Sequence, residues 1–379
     1  MTMNNFANRS IFRKLIKLID GNVGINLRKA NDQYKYSKSY TGRDHVLTML
    51  FLQASRCTGL RDIDMKYKKS SKLTKDFKIP TYSQLSRLNK SKSCDLFKSI
   101  FEDLLSKAER TLKSSVSIKE FKDIKIIDSS VVNIGKGLAP ALYYQDEKSA
   151  IRISTLFSYG TKLPNRINIV PAKIGERNCI DGYVSSQENI YIFDKGYFKY
   201  SWYDEMTDNK LKFITRQQSN AVTEEYISTY TGVEDMYDYI VTMGSDYSKN
   251  KTKHKYREIL YFPMDSDEEF RLVTNIFDMS AEDIVSLYKK RWDIELFFKW
   301  IKQHLTIKKW VGRSLNAISI QIYSALIIYI LLLLLKEKYK SELSLFNILR
   351  KLQSNILEKW SYVNILDTKS QTFLHYTSS

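Results

Sequence analysis

Three carboxylates stand where chemistry could be done: Asp128, Asp194 and Glu295. Asp128 ends the β-prone run 125–128, and Asp194 follows the apolar run 191–193. Backbone at a strand end is held by its neighbours while the side chain can face a cleft. Oxygen ligands of this kind suit a hard cation such as Mg2+ or Mn2+. Taken singly, either Asp reads first as a strand-end residue bonding local amides.

Glu295 lies in a segment whose periodicity predicts one helix over 281–303, opened by a capping-box-like start at Ser280 to Asp283. At about 100° per residue, Tyr288, Arg291, Glu295 and Lys302 fall in one stripe about 60° wide. The adjoining stripe, Leu287, Ile294, Phe298, Ile301 and Leu305, is apolar. The polar stripe therefore runs along the edge of the buried face, where a cleft could open. A solvent-side i,i+4 pair of Arg291 with Glu295 would explain two of the four residues. It requires neither Tyr288 nor Lys302.

The elements that must hold these residues change along the chain. Residues 1–115 read as short helices, with starts near Thr41 or Asp44, after Gly59 and after Pro80-Thr81. A Lys-rich connector (Lys66, Lys68, Lys69, Lys72, Lys75, Lys78) separates two of them. That pattern suits a helix-turn-helix-like DNA-binding module, and equally a helical subdomain with a solvated basic face. From about 120, strands are expected over 125–128, 151–157, 166–170, 191–193 and 213–216, with a helix over 200–207, so this part reads as mixed α/β. Residues 218–275 are rich in Tyr, Val and Thr and read as a β-rich insertion with a polar hairpin tip or loop at 245–255. Helices resume at 280, and a last amphipathic one is expected over about 342–360, before a polar tail.

Composition narrows the partners. The chain has 379 residues, 60 Lys+Arg against 42 Asp+Glu, and a formal net charge of +18. At 43% hydrophobic and 13% aromatic it can bury a core, which excludes wholesale disorder. The surplus charge points to a polyanion, DNA or RNA, although a Lys-rich composition produces it too. Cys57, Cys94 and Cys179 lie far apart without CxxC spacing, and the four histidines are scattered. A disulfide framework and a zinc signature are excluded, and a reducing cytoplasm is the simplest setting. The N-terminus lacks the continuous apolar core of a signal peptide. The apolar run 318–335 is interrupted by Gln321 and Ser324, and its unbroken part, 325–335, has the length of a buried core helix. A membrane span there is the rival reading; it predicts detergent-dependent solubility and no DNA affinity.

The string Tyr288-x-x-Arg291-x-x-x-Glu295-x-x-x-x-x-x-Lys302 resembles the Y-R-E-K signature of the insertion-sequence-four family of bacterial DDE transposases. Ile127-Asp128-Ser129-Ser130 resembles that family's first Asp block, and Phe193-Asp194-Lys195-Gly196-Tyr197 its second, D-x-G-Y. Residues 274–278 and Arg313-Ser314 resemble strings around the third. The resemblance spans about residues 120–335. The long gap before Glu295, with its β-rich insert, is also what that family shows.

The resemblance implies an α/β fold: an RNase H-like catalytic domain with a β-rich insertion, preceded by an all-α N-terminal domain and followed by C-terminal helices. The expected layout is 1–115 for DNA-end binding, 116–217 and 276–339 for the two parts of the catalytic core, 218–275 for the insertion, and 340–379 for the C-terminal helix and tail. It implies two divalent cations, Mg2+ (or Mn2+), on Asp128, Asp194 and Glu295. With them the enzyme would cut transposon ends and join the 3′-OH to target DNA. Tyr288, Arg291 and Lys302 would bind DNA backbone phosphates. The implied partners are transposon-end and target double-stranded DNA, with a homodimer in a synaptic complex and no membrane; the implied setting is the cytoplasm, on the nucleoid. The chain departs from the family in lacking the His and Asp often found near 153–159, and no Trp falls in 218–275. The alternatives are an RNase H-like metal-dependent nuclease without strand transfer and a catalytically silent DNA-binding derivative.

Overall fold

Helices begin where a hydroxyl side chain can accept a free backbone amide. Thr41 accepts from the Asp44 amide while the Asp44 carboxylate accepts from the Thr41 amide, a reciprocal capping box. Ser10, Thr81, Ser280, Ser314 and Ser344 each accept the amide three residues on. This computed structural model describes residues 10–19, 34, 40–55, 57, 59–68, 77–116, 118, 121–136, 143–145, 148–244, 251–262, 269–305, 310–312 and 314–357. The helices, in chain order, are α1 (Ile11–Ile16), α2 (Gly42–Ala54), α3 (Leu60–Lys68), α4 (Tyr82–Ser91), α5 (Asp95–Thr111), α6 (Tyr200–Asp208), α7 (Ala281–Lys289), α8 (Trp292–His304), α9 (Leu315–Lys338) and α10 (Leu345–Ser354). The strands are β1 (Asp123–Lys136), β2 (Tyr143–Gln145), β3 (Lys148–Ser158), β4 (Pro164–Pro171), β5 (Asn189–Phe193), β6 (Lys212–Arg216), β7 (Thr223–Tyr230), β8 (Met236–Met243), β9 (Tyr256–Tyr261) and β10 (Phe270–Thr274).

The chain divides into two compact units. One comprises 1–112, 133–149 and 299–379; the other comprises 113–132 and 150–298. Expectations for 69–76, 245–250, Arg313 and 358–379 lie outside the described residues. The last described helix, α10, is shorter than the expected 342–360.

The first unit is helical and built around α9. This helix is long and apolar enough to cross a membrane, yet 94% of its apolar window is buried inside the protein. Helices α2, α4, α5 and α10 pack on it. Its polar residues face protein groups. The Asn316 side-chain amide donates to the Asn89 and Lys92 carbonyls, and its oxygen accepts from the Cys94 amide. The Gln321 side chain accepts from the Val311 amide. An all-round apolar helix is what a core position requires.

The same unit buries His45 completely. Its Nδ1 lies 2.7 Å from the Tyr34 hydroxyl and its Nε2 2.7 Å from Asn89 Oδ1. Burial pushes its pKa down to about 4. Above about pH 6.5 the imidazole is neutral in both folded and unfolded chains, and no linkage arises. Between about 6.5 and 4 the unfolded chain takes a proton that the core refuses, so stability falls as pH falls. The expected loss by pH 4 is about 3 kcal/mol. Melting curves between pH 7.5 and 4.5 check it, and the decline should shrink in His45→Gln; an equal decline in both would rule out His45 as its source.

The second unit carries most of a ten-stranded sheet in the order β2-β3-β1-β5-β6-β10-β9-β8-β7, with β4 paired to β3. β1, β5 and β6 run parallel, and β10, β9, β8 and β7 continue antiparallel from β6. The segment expected as an insertion thus extends the same sheet. Its aromatic core gathers Phe193, Tyr197, Trp202, Tyr203, Phe213 and Tyr256. Two expectations need correction here. Asp128 lies inside β1, because β3 is a second hydrogen-bonded neighbour and the strand runs on after β5 has ended. The single helix expected over 281–303 is two, because i→i+3 bonds tighten the backbone at Lys290 and Arg291.

Candidate active site

The parallel register of β1 and β5 sets the first two carboxylates side by side. Its last pair is Ile127 with Phe193, so Asp128 follows within β1 and Asp194 is the first residue past the end of β5. Neighbouring parallel strands lie about 4.8 Å apart, so the two residues emerge close together. Ile126, Ile127, Ile192 and Phe193 before them are fully buried and give both a rigid base.

The turn between α7 and α8 supplies the rest. The Tyr288 hydroxyl donates to Asp194 Oδ1 at 3.4 Å. Arg291 Nη2 lies 2.5 Å from Glu295 Oε1, and Nη1 lies 3.8 Å from Asp128 Oδ2. One guanidinium therefore bridges the first and third carboxylates, while a phenol ties the second to the same helix pair. Helix α8 is held over β3 by Phe297 against Phe157, with ring centroids 5.0 Å apart. Asp293 in its first turn pairs at 2.5 Å with Lys162 of the β3–β4 turn. Arg257 fixes the entry to α7 by donating to the carbonyls of Ile276 and Met279.

The structure thus brings Asp128, Asp194, Glu295, Tyr288 and Arg291 together within the second unit. Lys302 lies two turns beyond Glu295 on α8, in the residues grouped with the first unit.

Two charged residues were missed in the sequence. Arg152 on β3 lies 2.5 Å from Glu176, and the Ser129 hydroxyl donates to the same Glu176 oxygen at 2.7 Å. The available signal was an arginine within an apolar strand, which must find a partner when buried. Glu176, in an irregular segment, carried no signal of its own.

The electrostatics follow from this crowding. Burial, then the charges of Glu176 and Asp194, push the Asp128 carboxyl up to about 6, against the Ser129 amide and Arg291. Burial and the Asp194 charge raise the Tyr288 hydroxyl above its ordinary range. Burial works against the Arg291 guanidinium, yet Tyr288, Glu295 and Asp194 hold its pKa above the usual value.

These residues fit a divalent cation by donor chemistry. The candidate donor atoms are hard carboxylate oxygens, and among the described residues Arg291 and Arg152 pair with three of the carboxylates here. Burial first, and the charges of Glu176 and Asp194 after it, hold the Asp128 carboxyl up, and a cation would offset both. Among the described residues no three acidic, His or Cys side chains converge closely enough to grip one ion. Arg291 lies between Asp128 and Glu295 instead.

The chain is also similar to known proteins. A family model described as transposase DDE domain matches residues 119–331. The chain is 25% identical over 267 residues to a probable transposase for insertion sequence element IS5377 of Geobacillus stearothermophilus, covering 69% of each chain. It is 28% identical over 283 residues to a putative transposase for insertion sequence element IS4SA of Synechocystis, covering 70% of this chain and 76% of that one. A putative transposase of Sinorhizobium fredii is 29% identical over 218 residues, covering 55% of this chain and 60% of its own.

Proposed function

The chain belongs to the transposase DDE domain family, and from that membership we infer that it cuts the ends of an insertion sequence and joins the freed 3′-OH to target DNA. It is a DNA-acting enzyme that depends on divalent cations. The observation that carries our reading of its site is that Asp128 and Asp194 directly follow the last β1–β5 pair, with Glu295 linked to Asp128 by Arg291.

Asp128, Asp194 and Glu295 would hold two cations, Mg2+ (or Mn2+). Bound there, the pair would sharpen an attacking oxygen and stabilise the leaving one in an in-line displacement at phosphorus. Hydrolysis breaks the phosphodiester at the transposon end and releases a 3′-OH; that hydroxyl then displaces an oxygen of a target phosphodiester. In our reading Arg291 has two partners in turn. Without metal it neutralises Asp128 and Glu295; once they turn to metal, its planar fork is free for a DNA phosphate. Tyr288 keeps Asp194 oriented by its hydroxyl and can donate to the same strand. Lys302 would add a point charge along the DNA backbone.

The strand order β4-β3-β1-β5-β6, with α6 between β5 and β6 in the chain, supports reading the core as RNase H-like, with β7–β10 in its β-rich insertion. We assign end recognition to the basic helices of the first 115 residues, and a homodimer to the synaptic complex on the nucleoid. The surplus of +18 makes binding steeply salt-dependent.

The test uses DNA carrying the inverted repeats that bracket the gene. With Mg2+ the full chain should cleave at the repeat and join its 3′ end into a plasmid. Cleavage without joining would make it a nuclease, and repeat binding without cleavage would make it a silent derivative.

A further inference from the structure

Arg152 is a cation held almost wholly inside the protein, its side chain 8% exposed. Its Nε donates to the Ile174 carbonyl and its Nη2 to the Ala172 carbonyl. Its Nη1 reaches Glu176 Oε1 at 2.5 Å and the Ser129 hydroxyl at 2.7 Å. Ser129 is the residue after Asp128, and its amide donates to Asp128 Oδ1 at 2.7 Å. The other Glu176 oxygen presses on the second block. A Cβ built on Gly196 would meet Glu176 Oε2 at 2.6 Å, so a side chain there would push the carboxylate aside. One carboxylate therefore touches the residue after Asp128 and the second residue after Asp194. Tyr197 ends nearby with a buried hydroxyl, beside Ser129 and within the fields of Asp128 and Glu176.

We propose that Arg152 and Glu176 form a positioning pair, in which Glu176 ties the two Asp-bearing blocks together and keeps the charge of Arg152 off Asp128. The proposal rests on the reading that Asp128 and Asp194 hold divalent cations. The logic is one of charge. A buried ion whose partner is removed seeks the next opposite charge, because it remains uncompensated in a low dielectric. For Arg152, hydrogen-bonded to Ser129, that charge is Asp128. Released from Glu176, the guanidinium would compete with metal for Asp128. Conversely, Glu176 without Arg152 would be an unopposed anion beside the site. Balanced against each other, the pair leaves Asp128 to the metal while its hydrogen bonds fix where Asp128 points. Both act through Asp128 and Gly196 and are not themselves ligands.

The experiment titrates Mn2+ into the full chain, following free Mn2+ by electron paramagnetic resonance and cleavage of end DNA in parallel. Melting in EDTA reports folding. Glu176→Gln keeps the size and an accepting oxygen but frees the charge of Arg152. Its half-saturating Mn2+ should rise ~10–100-fold, the range for groups that orient metal ligands, while its melting temperature in EDTA falls because Arg152 loses its partner. Arg152→Gln should tighten Mn2+ binding yet slow cleavage, because Asp128 loses its orientation while negative charge accumulates. Arg152→Gln combined with Glu176→Gln removes both charges and should bring half-saturation back toward wild type. A purely structural pair would not show that opposed pattern. Gly196→Ala pushes on the Glu176 carboxylate without altering either charge, and serves if the pair variants unfold; it too should weaken Mn2+. The proposal is overturned if Glu176→Gln and Gly196→Ala bind Mn2+ as wild type does, or if the double variant is as weak as Glu176→Gln. Asp128→Ala separates the two levels: retained Mn2+ binding and cleavage there would overturn the site itself.

Discussion

Asp128→Asn leaves the chain folded and lowers cleavage of end DNA by ~10³-fold or more, the consequence of losing several kcal/mol of charge stabilisation at the reacting phosphate. The substitution is nearly isosteric. The carboxamide oxygen can still accept the Ser129 amide that now reaches Asp128 at 2.7 Å. It removes a charge that the surroundings disfavour, since burial and two neighbouring carboxylates push this carboxyl up to about 6. The melting temperature in EDTA should therefore hold or rise while activity disappears. The same should follow for Asp194→Asn, whose partner is the Tyr288 hydroxyl. Cleavage assays with Mg2+, paired with thermal melts, check both. Activity within tenfold of wild type in either variant would remove that residue from the catalytic set.

Arg257→Leu is the second large effect. Arg257 and Asp238 are a buried pair, joined by Nε at 2.9 Å and Nη2 at 2.6 Å. Removing the cation strands the carboxylate, a change that costs about 3–5 kcal/mol. Urea unfolding should show that loss directly. Replacing Asp238 by Leu as well should recover most of it, because an apolar pair of similar volume tolerates the site. Activity should not recover equally. Arg257 Nη1 also holds the Ile276 and Met279 carbonyls at the entry to α7, and α7 leads to Tyr288 and Arg291. A double variant that regains both stability and full cleavage would show that this anchor does not position the site.

Much of the site was legible because its chemistry is local in sequence. Tyr288, Arg291 and Glu295 sit at i,i+3 and i,i+4 spacings, which meet on one helical face whether or not the helix is tightened at Lys290. Asp128 and Asp194 follow apolar runs, and apolar runs make strands. The extent of β1 was less legible, because where a strand stops depends on its neighbour β3, far along the chain. Helix α9 was ambiguous for a related reason. An all-round apolar helix is the same string whether lipid or protein covers it, and only the packing of α2, α4, α5 and α10 shows which.

The sequence by itself determined which groups are candidates for the site: three carboxylates, the Tyr and Arg beside the third, and the basic surplus that suits DNA. These depend on residue type and short spacing, which any local conformation must express. Only the tertiary structure decided that Arg291 bridges Asp128 and Glu295, that Asp128 and Asp194 directly follow the last β1–β5 pair, and that Arg152 pairs with Glu176 beside Ser129. Those facts rest on strand register and on pairs 24 to 163 positions apart. Electrostatic interaction depends on distance through space, and distance in the chain carries no record of it.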